Sequence, residues 1–270
     1  MAALTLPRLH WGDATAPRKA LMIHGLGSSA QTCWRVMEAL AADGFSATAI
    51  DLRGHGAAPR GSTYAIADFA EDVAQVAPDG GASWDLVIGH SIGAAAAVVA
   101  SAHNPRWSQS LILLDPALEL TDETRHEVLE NQRLGHGHQS VEDVSKANPH
   151  WHPLDWELKI QANRAASLFA MEHAVFDNEP WDVTSYAHQV AIPTHVLGAE
   201  ESLGSMFCGS YATDMLASNQ NFSYEIIDGA GHSVHRDKPR ETLEAMQAFI
   251  TRVHYGKSFK VLLIQIPQSL

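Results

Sequence analysis

The 270-residue chain carries 18 Lys and Arg against 31 Asp and Glu, a formal net charge of −13, and 46% of its residues are hydrophobic against 18% charged. That balance fits an ordinary soluble globular protein with room for one large α/β domain or two small ones, and it excludes fibrous, coiled-coil and disordered readings. The acidic excess leaves no basic field to hold a phosphate backbone, so nucleic acid is not an expected partner. Cys33 and Cys208 are the only thiols and stand far apart, which points to neither a disulfide framework nor a cysteine zinc site but to a reducing cytosol. The opening MAALTLPRLHWGD lacks the parts of an export signal. The longest apolar run, Ile92 to Ala102, is too short for the roughly 20 residues a membrane span needs and reads as a core helix. A cytoplasmic protein without membrane attachment is expected.

In chain order, short β-branched runs alternate with longer helical patterns. Strands are expected at Ala20 to His24, Ser46 to Asp51, Asp85 to His90 and Ser110 to Asp115, each apolar nearly throughout, as strands covered on both faces are. Helices are expected at Thr32 to Ala42, Ile66 to Gln75 and Ile92 to His103, closed by Asp43-Gly44, Pro78-Asp79-Gly80-Gly81 and Asn104-Pro105. Such alternation builds a parallel sheet from crossover units. Between Pro116 and Val190 it stops, and a helical, Trp- and His-rich stretch follows, expected to fold as a cap over the C-terminal edge of the sheet. Strands resume at Thr194 to Leu197 and Phe222 to Ile227, then a helix from Pro239 to Arg252. The division expected is therefore a core of 1–116 and 191–257, a helical cap of 117–190, and an apolar tail, 258–270, left open between an added strand and packing on a neighbour in a homo-oligomer.

The chemistry concentrates at Gly89-His90-Ser91-Ile92-Gly93, which a strand precedes and an Ala-rich helix follows. A sharp strand-to-helix turn needs small residues on both sides of the serine and presents its Oγ at the top of the sheet; the alternative is a serine that caps the helix. A serine hydroxyl is a weak nucleophile at neutral pH and needs a base, which needs an orienting acid. Asp228-Gly229-Ala230-Gly231-His232 directly follows the last strand, and its glycines allow the loop to turn back, so His232 is the expected base, with His235 packing or capping. For the acid, Asp115 ends the strand next to the serine's and is favoured; Glu201, then Glu200, in Gly198-Ala199-Glu200-Glu201 are the alternatives. The oxyanion donors expected are the backbone N–H of Ile92, at the positive end of the helix, and of Leu26 in His24-Gly25-Leu26-Gly27.

With Asp51-Leu52-Arg53-Gly54-His55-Gly56, Leu113-Leu114-Asp115-Pro116 and Gly229-Ala230-Gly231-His232 added to these motifs, the chain resembles the α/β-hydrolase superfamily over nearly its whole length. The resemblance implies an eight-stranded, mostly parallel sheet flanked by helices, with a helical cap after the sixth strand. So few residues precede Lys19 that the first strand is expected to be missing or fragmentary. The usual aspartate after the seventh strand is absent; some small esterases, zearalenone-lactone hydrolases and haloalkane dehalogenases carry the acid after strand six, where Asp115 falls. Haloalkane dehalogenases and soluble epoxide hydrolases carry aspartate at the position of Ser91, which disfavours those two activities.

The expectation is a cofactor-free serine hydrolase of a carboxylic ester or lactone, working through Ser91, His232 and Asp115 with an acyl-enzyme and an apolar acyl pocket under the cap. C–C bond hydrolysis of a diketone or ring-fission product, and thioester or amide hydrolysis, use the same triad and stay open. A small-molecule receptor is the alternative from another class, disfavoured because binding alone does not require an intact triad and oxyanion donors. Trp151, Trp156 and Trp181 are either the cap's own core or a substrate wall. His136-Gly137-His138 and His150-Trp151-His152 are expected on a solvated or packed surface, with no metal site.

Overall fold

The computed structural model describes residues 3–256; the apolar tail, 258–270, lies outside them. Two strands open the chain, β1 (Arg8–Trp11) and β2 (Arg18–Ile23), followed by α1 (Trp34–Ala42), entered through a 3-10 turn at Ala30–Cys33. Then come β3 (Phe45–Ile50), α2 (Ile66–Ala74), β4 (Leu86–His90), α3 (Ile92–His103) and β5 (Leu111–Leu114). The sequence pattern anticipates these to within a few residues at each end. β1 was not anticipated as a strand.

The sheet has seven strands in the order β1-β3-β2-β4-β5-β8-β9, with β8 (Thr194–Gly198) and β9 (Phe222–Ile226) completing it. Only β1 is antiparallel; it pairs with β3 at the edge. The eight strands implied by the resemblance are thus seven here among the described residues, with one antiparallel strand, β1, at the N-terminal edge. Alternation along β4 explains the two-sided core: Val87 packs on the side of α2 and α3, Leu86 and Ile88 on the side of α1 and α11 (Pro239–Tyr255). Helix α3 is rich in alanine and lies buried from Ile92 to Ser101.

Between β5 and β8 the chain forms a two-stranded ribbon, β6 (Glu119–Leu120) with β7 (Trp181–Asp182), around the helices α4 (Asp122–Gly137), α5 (Val141–Ala147), α6 (Pro153–Ala165) and α7 (Leu168–Phe176). A short α8 (Thr184–Ala187) leads back to the sheet. Val128 and Leu129 of α4 and Ala170, Ala174 and Val175 of α7 join the core on the α2–α3 side. Asp177 accepts the Tyr64 N–H at 2.7 Å and Asn178 the Ile66 N–H at 2.7 Å, which fixes this helical segment to the entry of α2. Two further helices follow the sheet's last crossings, α9 (Gly209–Ser218) and α10 (Val234–Asp237).

The loop after β3 is anchored by a buried ion pair. Arg53 donates Nε to Asp72 Oδ2 at 2.7 Å and Nη2 to Oδ1 at 2.8 Å, and the Leu4 N–H adds a third bond to Oδ1 at 2.6 Å. Removing one partner strands a charge inside the protein, so Arg53→Met is expected to cost about 3 kcal/mol or more in chemical denaturation; a loss below about 1 kcal/mol would show the pair to be dispensable.

Two histidines sit buried beyond β2 and β3, with ring centroids 5.3 Å apart. His24 accepts the Leu52 N–H at Nε2, 3.1 Å away. Burial pulls His24 down to about 4 and His55 down to about 3, from an ordinary 6.5. Both are neutral in the fold, while the unfolded chain takes up protons on them below 6.5. Stability from this source is complete above pH 6.5 and is lost as pH falls toward 4. The unfolding temperature is accordingly expected to drop across that window; a flat profile would contradict neutral burial.

Candidate active site

Ser91 stands between β4 and α3 with φ 55° and ψ −121°, a left-handed backbone costing about 1–3 kcal/mol for a residue with a Cβ. The turn is held by the bond from the Ser91 N–H to Leu114 O at 3.1 Å and by bonds to Ser91 O from the Ala94 and Ala95 amides at 3.0 and 3.1 Å. Its neighbours must be glycine. A Cβ on Gly89 would stand 2.5 Å from Ala94 Cα, and one on Gly93 2.5 Å from His24 O. The loop after β2 runs beside the serine, since a Cβ on Gly25 would lie 3.1 Å from Ser91 Cβ. Leu26 follows at once, and Ile92 heads α3, where a first-turn N–H has no acceptor within the helix. Two candidate oxyanion donors therefore flank Ser91 from opposite chain segments.

Strand register assembles the rest. β4 pairs Gly89 with Leu113 and His90 with Leu114, and β5 pairs Leu114 with Leu197, so the chain leaves all three strands at one edge with Ser91, Asp115 and Gly198 side by side. Asp115 is fully buried at φ 37°. Its Oδ1 accepts the Ala199 N–H at 3.1 Å and the Ser205 hydroxyl at 2.6 Å; its Oδ2 accepts the Met206 N–H at 2.9 Å and His232 Nδ1–H at 2.6 Å. Burial alone would raise this carboxyl, but the bonds from His232, Ser205 and Met206 outweigh it and hold the group below the ordinary carboxylate value. An anion that accepts His232 Nδ1–H leaves the other ring nitrogen, Nε2, as a lone-pair acceptor.

The loop bearing His232 is tied back to the serine's neighbour. His90 donates Nε2–H to the His232 carbonyl at 2.9 Å, and the two rings lie 4.8 Å apart. Burial, reinforced by His232 and His235, keeps His90 well below the usual histidine value, which suits a neutral donor. His235 is buried with its ring edge-on to His90 at 4.9 Å, a packing position. The alternative acids are placed elsewhere: Glu200 accepts the Ser202 hydroxyl at 2.6 Å and the Gly229 N–H at 3.0 Å, and Glu201 is exposed in a 3-10 turn. Asp115 is the carboxylate on His232.

The three tryptophans are placed in packed clusters, the first of the two expected positions. Trp181 is fully buried and donates to Ala117 O at 2.8 Å; Trp151 donates to Asp237 Oδ1 at 2.6 Å; Trp156 donates to Asn148 O at 2.9 Å. Trp181 belongs to the main core, while Trp151 and Trp156 pack with Val144 and Ile160 in a small core of their own. A Cβ on Gly27 would meet Gln132 Oε1 at 2.7 Å, Lys159 Nζ at 3.3 Å and Met171 Sδ at 3.3 Å, so α4 and α6 bring a polar and a charged group, and α7 a thioether, against the loop of Leu26. Sequence reading missed Gln132, Lys159 and the Ser205–Met206 support of Asp115. No local motif marks them, because each acts only through a partner more than 80 positions away. Of the other histidines, His150 bonds Asp237 at 2.9 Å and His152 caps the Leu154 N–H at 3.2 Å.

The model of the alpha/beta hydrolase family matches residues 20–245. The chain is 26% identical over 253 residues to a 2-(acetamidomethylene)succinate hydrolase of Mesorhizobium japonicum, covering 85% of this chain and 87% of that one. It is 28% identical over 195 residues to the lipase LipV of Mycobacterium tuberculosis, covering 72% and 66%. Among solved structures, an E-2-(acetamidomethylene)succinate hydrolase superposes with a TM-score of 0.80 at 21% identity, over 92% of this chain and 95% of that one. A match that spans most of the chain, on a fold with the same mostly parallel sheet and flanking helices, establishes that the chain belongs to the alpha/beta hydrolase family.

Proposed function

We propose that the protein hydrolyses a carboxylic ester or lactone through a triad of Ser91, His232 and Asp115. The observation that carries this reading is the 2.6 Å bond from His232 Nδ1 to a fully buried Asp115, on a loop whose carbonyl is held by His90, the residue before the serine. Ser91 Oγ attacks the substrate carbonyl carbon while His232 Nε2 takes its proton, and Asp115 stabilises the imidazolium that forms. The oxyanion of the tetrahedral intermediate is received by the N–H groups of Leu26 and Ile92. Collapse breaks the C–O bond to the leaving alcohol, which takes the proton from His232 and departs, or stays attached as a hydroxyl if the substrate is a lactone. Water, activated by the same imidazole, attacks the acyl-enzyme and restores Ser91. Every step runs on the chain's own groups. Relatives named as a lipase and as a succinate-derivative hydrolase fit acyl chemistry at such a site.

Ser91→Ala is expected to lower hydrolysis of phenyl esters by about three orders of magnitude or more, with circular dichroism and unfolding temperature little changed. Unchanged turnover would overturn the nucleophile. Asp115→Asn, which keeps the shape but offers the wrong partner to Nδ1–H, is expected to cost roughly four orders of magnitude in kcat. Should Glu201→Gln produce that loss instead, the acid would be misassigned.

A further inference from the structure

Lys159 stands beside the loop of Leu26 and, unlike Arg35, pairs with no carboxylate among the described residues. Its Nζ donates to Gly27 O at 2.6 Å, one residue past Leu26, and among the described residues it makes no ion pair. Its neighbours are differently placed. Arg35 pairs with Asp155 at 3.3 Å, and Arg236, which donates to Ser28 Oγ at 2.8 Å, lies in the field of Asp155 and Asp237. Of these three cations only Arg35 forms an ion pair, Arg236 feels two carboxylates at longer range, and Lys159, on α6 against the loop that holds a candidate oxyanion donor, has neither. An ammonium has three N–H donors and Gly27 O uses one. The amide of Gln132 stands beside it on the same side of Gly27.

A partly buried ammonium with no carboxylate beside it is costly unless an anion completes it. The cost is visible: desolvation, with added repulsion from Arg236, brings Lys159 down to about 7. His24 and His55 also face it and are held neutral, so neither supplies the missing charge. A negative charge arriving with the substrate would. We propose that Lys159, assisted by Gln132, binds a carboxylate on the acyl part of the substrate, so that the preferred substrates are anionic half-esters of short dicarboxylic acids rather than neutral fatty esters. Consecutive Cα atoms are about 3.8 Å apart. A cation attached one residue beyond Leu26 thus reaches a carboxylate about two to four carbons from the carbonyl under attack. This inference rests on the acyl-hydrolase reading for its substrate, but the anion subsite can be measured without turnover.

The kinetic test compares phenyl hemisuccinate with phenyl levulinate, in which an acetyl group replaces the carboxylate, with spontaneous hydrolysis subtracted. The intact protein is expected to favour the hemisuccinate in kcat/KM by about 10-fold or more. Lys159→Gln is expected to erase that preference and Lys159→Arg to restore part of it. If Lys159 only braced Gly27, the substitution would lower both rates in proportion; an unmoved ratio, or equal rates with the intact protein, overturns the proposal. The binding test titrates succinate and neutral succinamide calorimetrically into the intact protein and into Lys159→Gln. Succinate binding that is tighter than succinamide and about 10-fold weaker in the variant supports the subsite even if neither ester is turned over, a result that would count against the ester reading alone. Equal succinate affinity in both proteins overturns the subsite.

Discussion

Asp115 has no exposed surface, yet four hydrogen bonds converge on its carboxylate, from Ala199, Ser205, Met206 and His232. A buried charge is tolerated only where donors replace the water it has lost, and here those donors come from the loop after β8 and from the loop after β9. The same carboxylate thus closes the C-terminal part of the chain onto the sheet and orients the imidazole. Folding and the proposed chemistry draw on one set of bonds. The carboxylate that meets His232 thus lies at the end of β5 although the loop after β8 carries two glutamates: Glu200 is taken up by Gly229 and Ser202, and its neighbour Glu201 faces solvent.

Strain and packing around Ser91 follow the same logic. A residue at φ 55° persists because its amide and carbonyl are both bonded and because Gly89 and Gly93 let strand and helix close to distances that any Cβ would forbid. The N–H at the head of α3 has no acceptor within the helix, so the turn that costs backbone energy also leaves free the group proposed to receive the oxyanion.

The helical segment between β5 and β8 plays two parts. Its α4 and α7 complete the core above α2 and α3, and its tryptophans are consumed by packing and by bonds to Ala117, Asn148 and Asp237. Its α6 extends Lys159 to the Gly27 carbonyl, and α4 places Gln132 alongside. What the segment brings to the oxyanion loop is therefore charge and polarity more than apolar surface, and none of its helices, nor any other among the described residues, is long and apolar enough to cross a membrane.

The sequence by itself determined the alternating architecture and the serine turn, because both are local. Short, nearly continuous apolar runs, Ala-rich α3, and glycines on either side of Ser91 encode their structure within a few residues of themselves. The parallel register that sets Ser91 beside Asp115 was legible only as far as one helix and one strand return a chain to the same sheet edge. Tertiary structure decided the rest: that Asp115 rather than a glutamate meets His232, that the tryptophans fill cores, that one N-terminal strand closes the sheet, and that Lys159 stands uncompensated at Gly27. Each of these depends on which distant groups satisfy one another once water is excluded, and a buried charge or indole carries no mark of its eventual partner in the residues adjoining it.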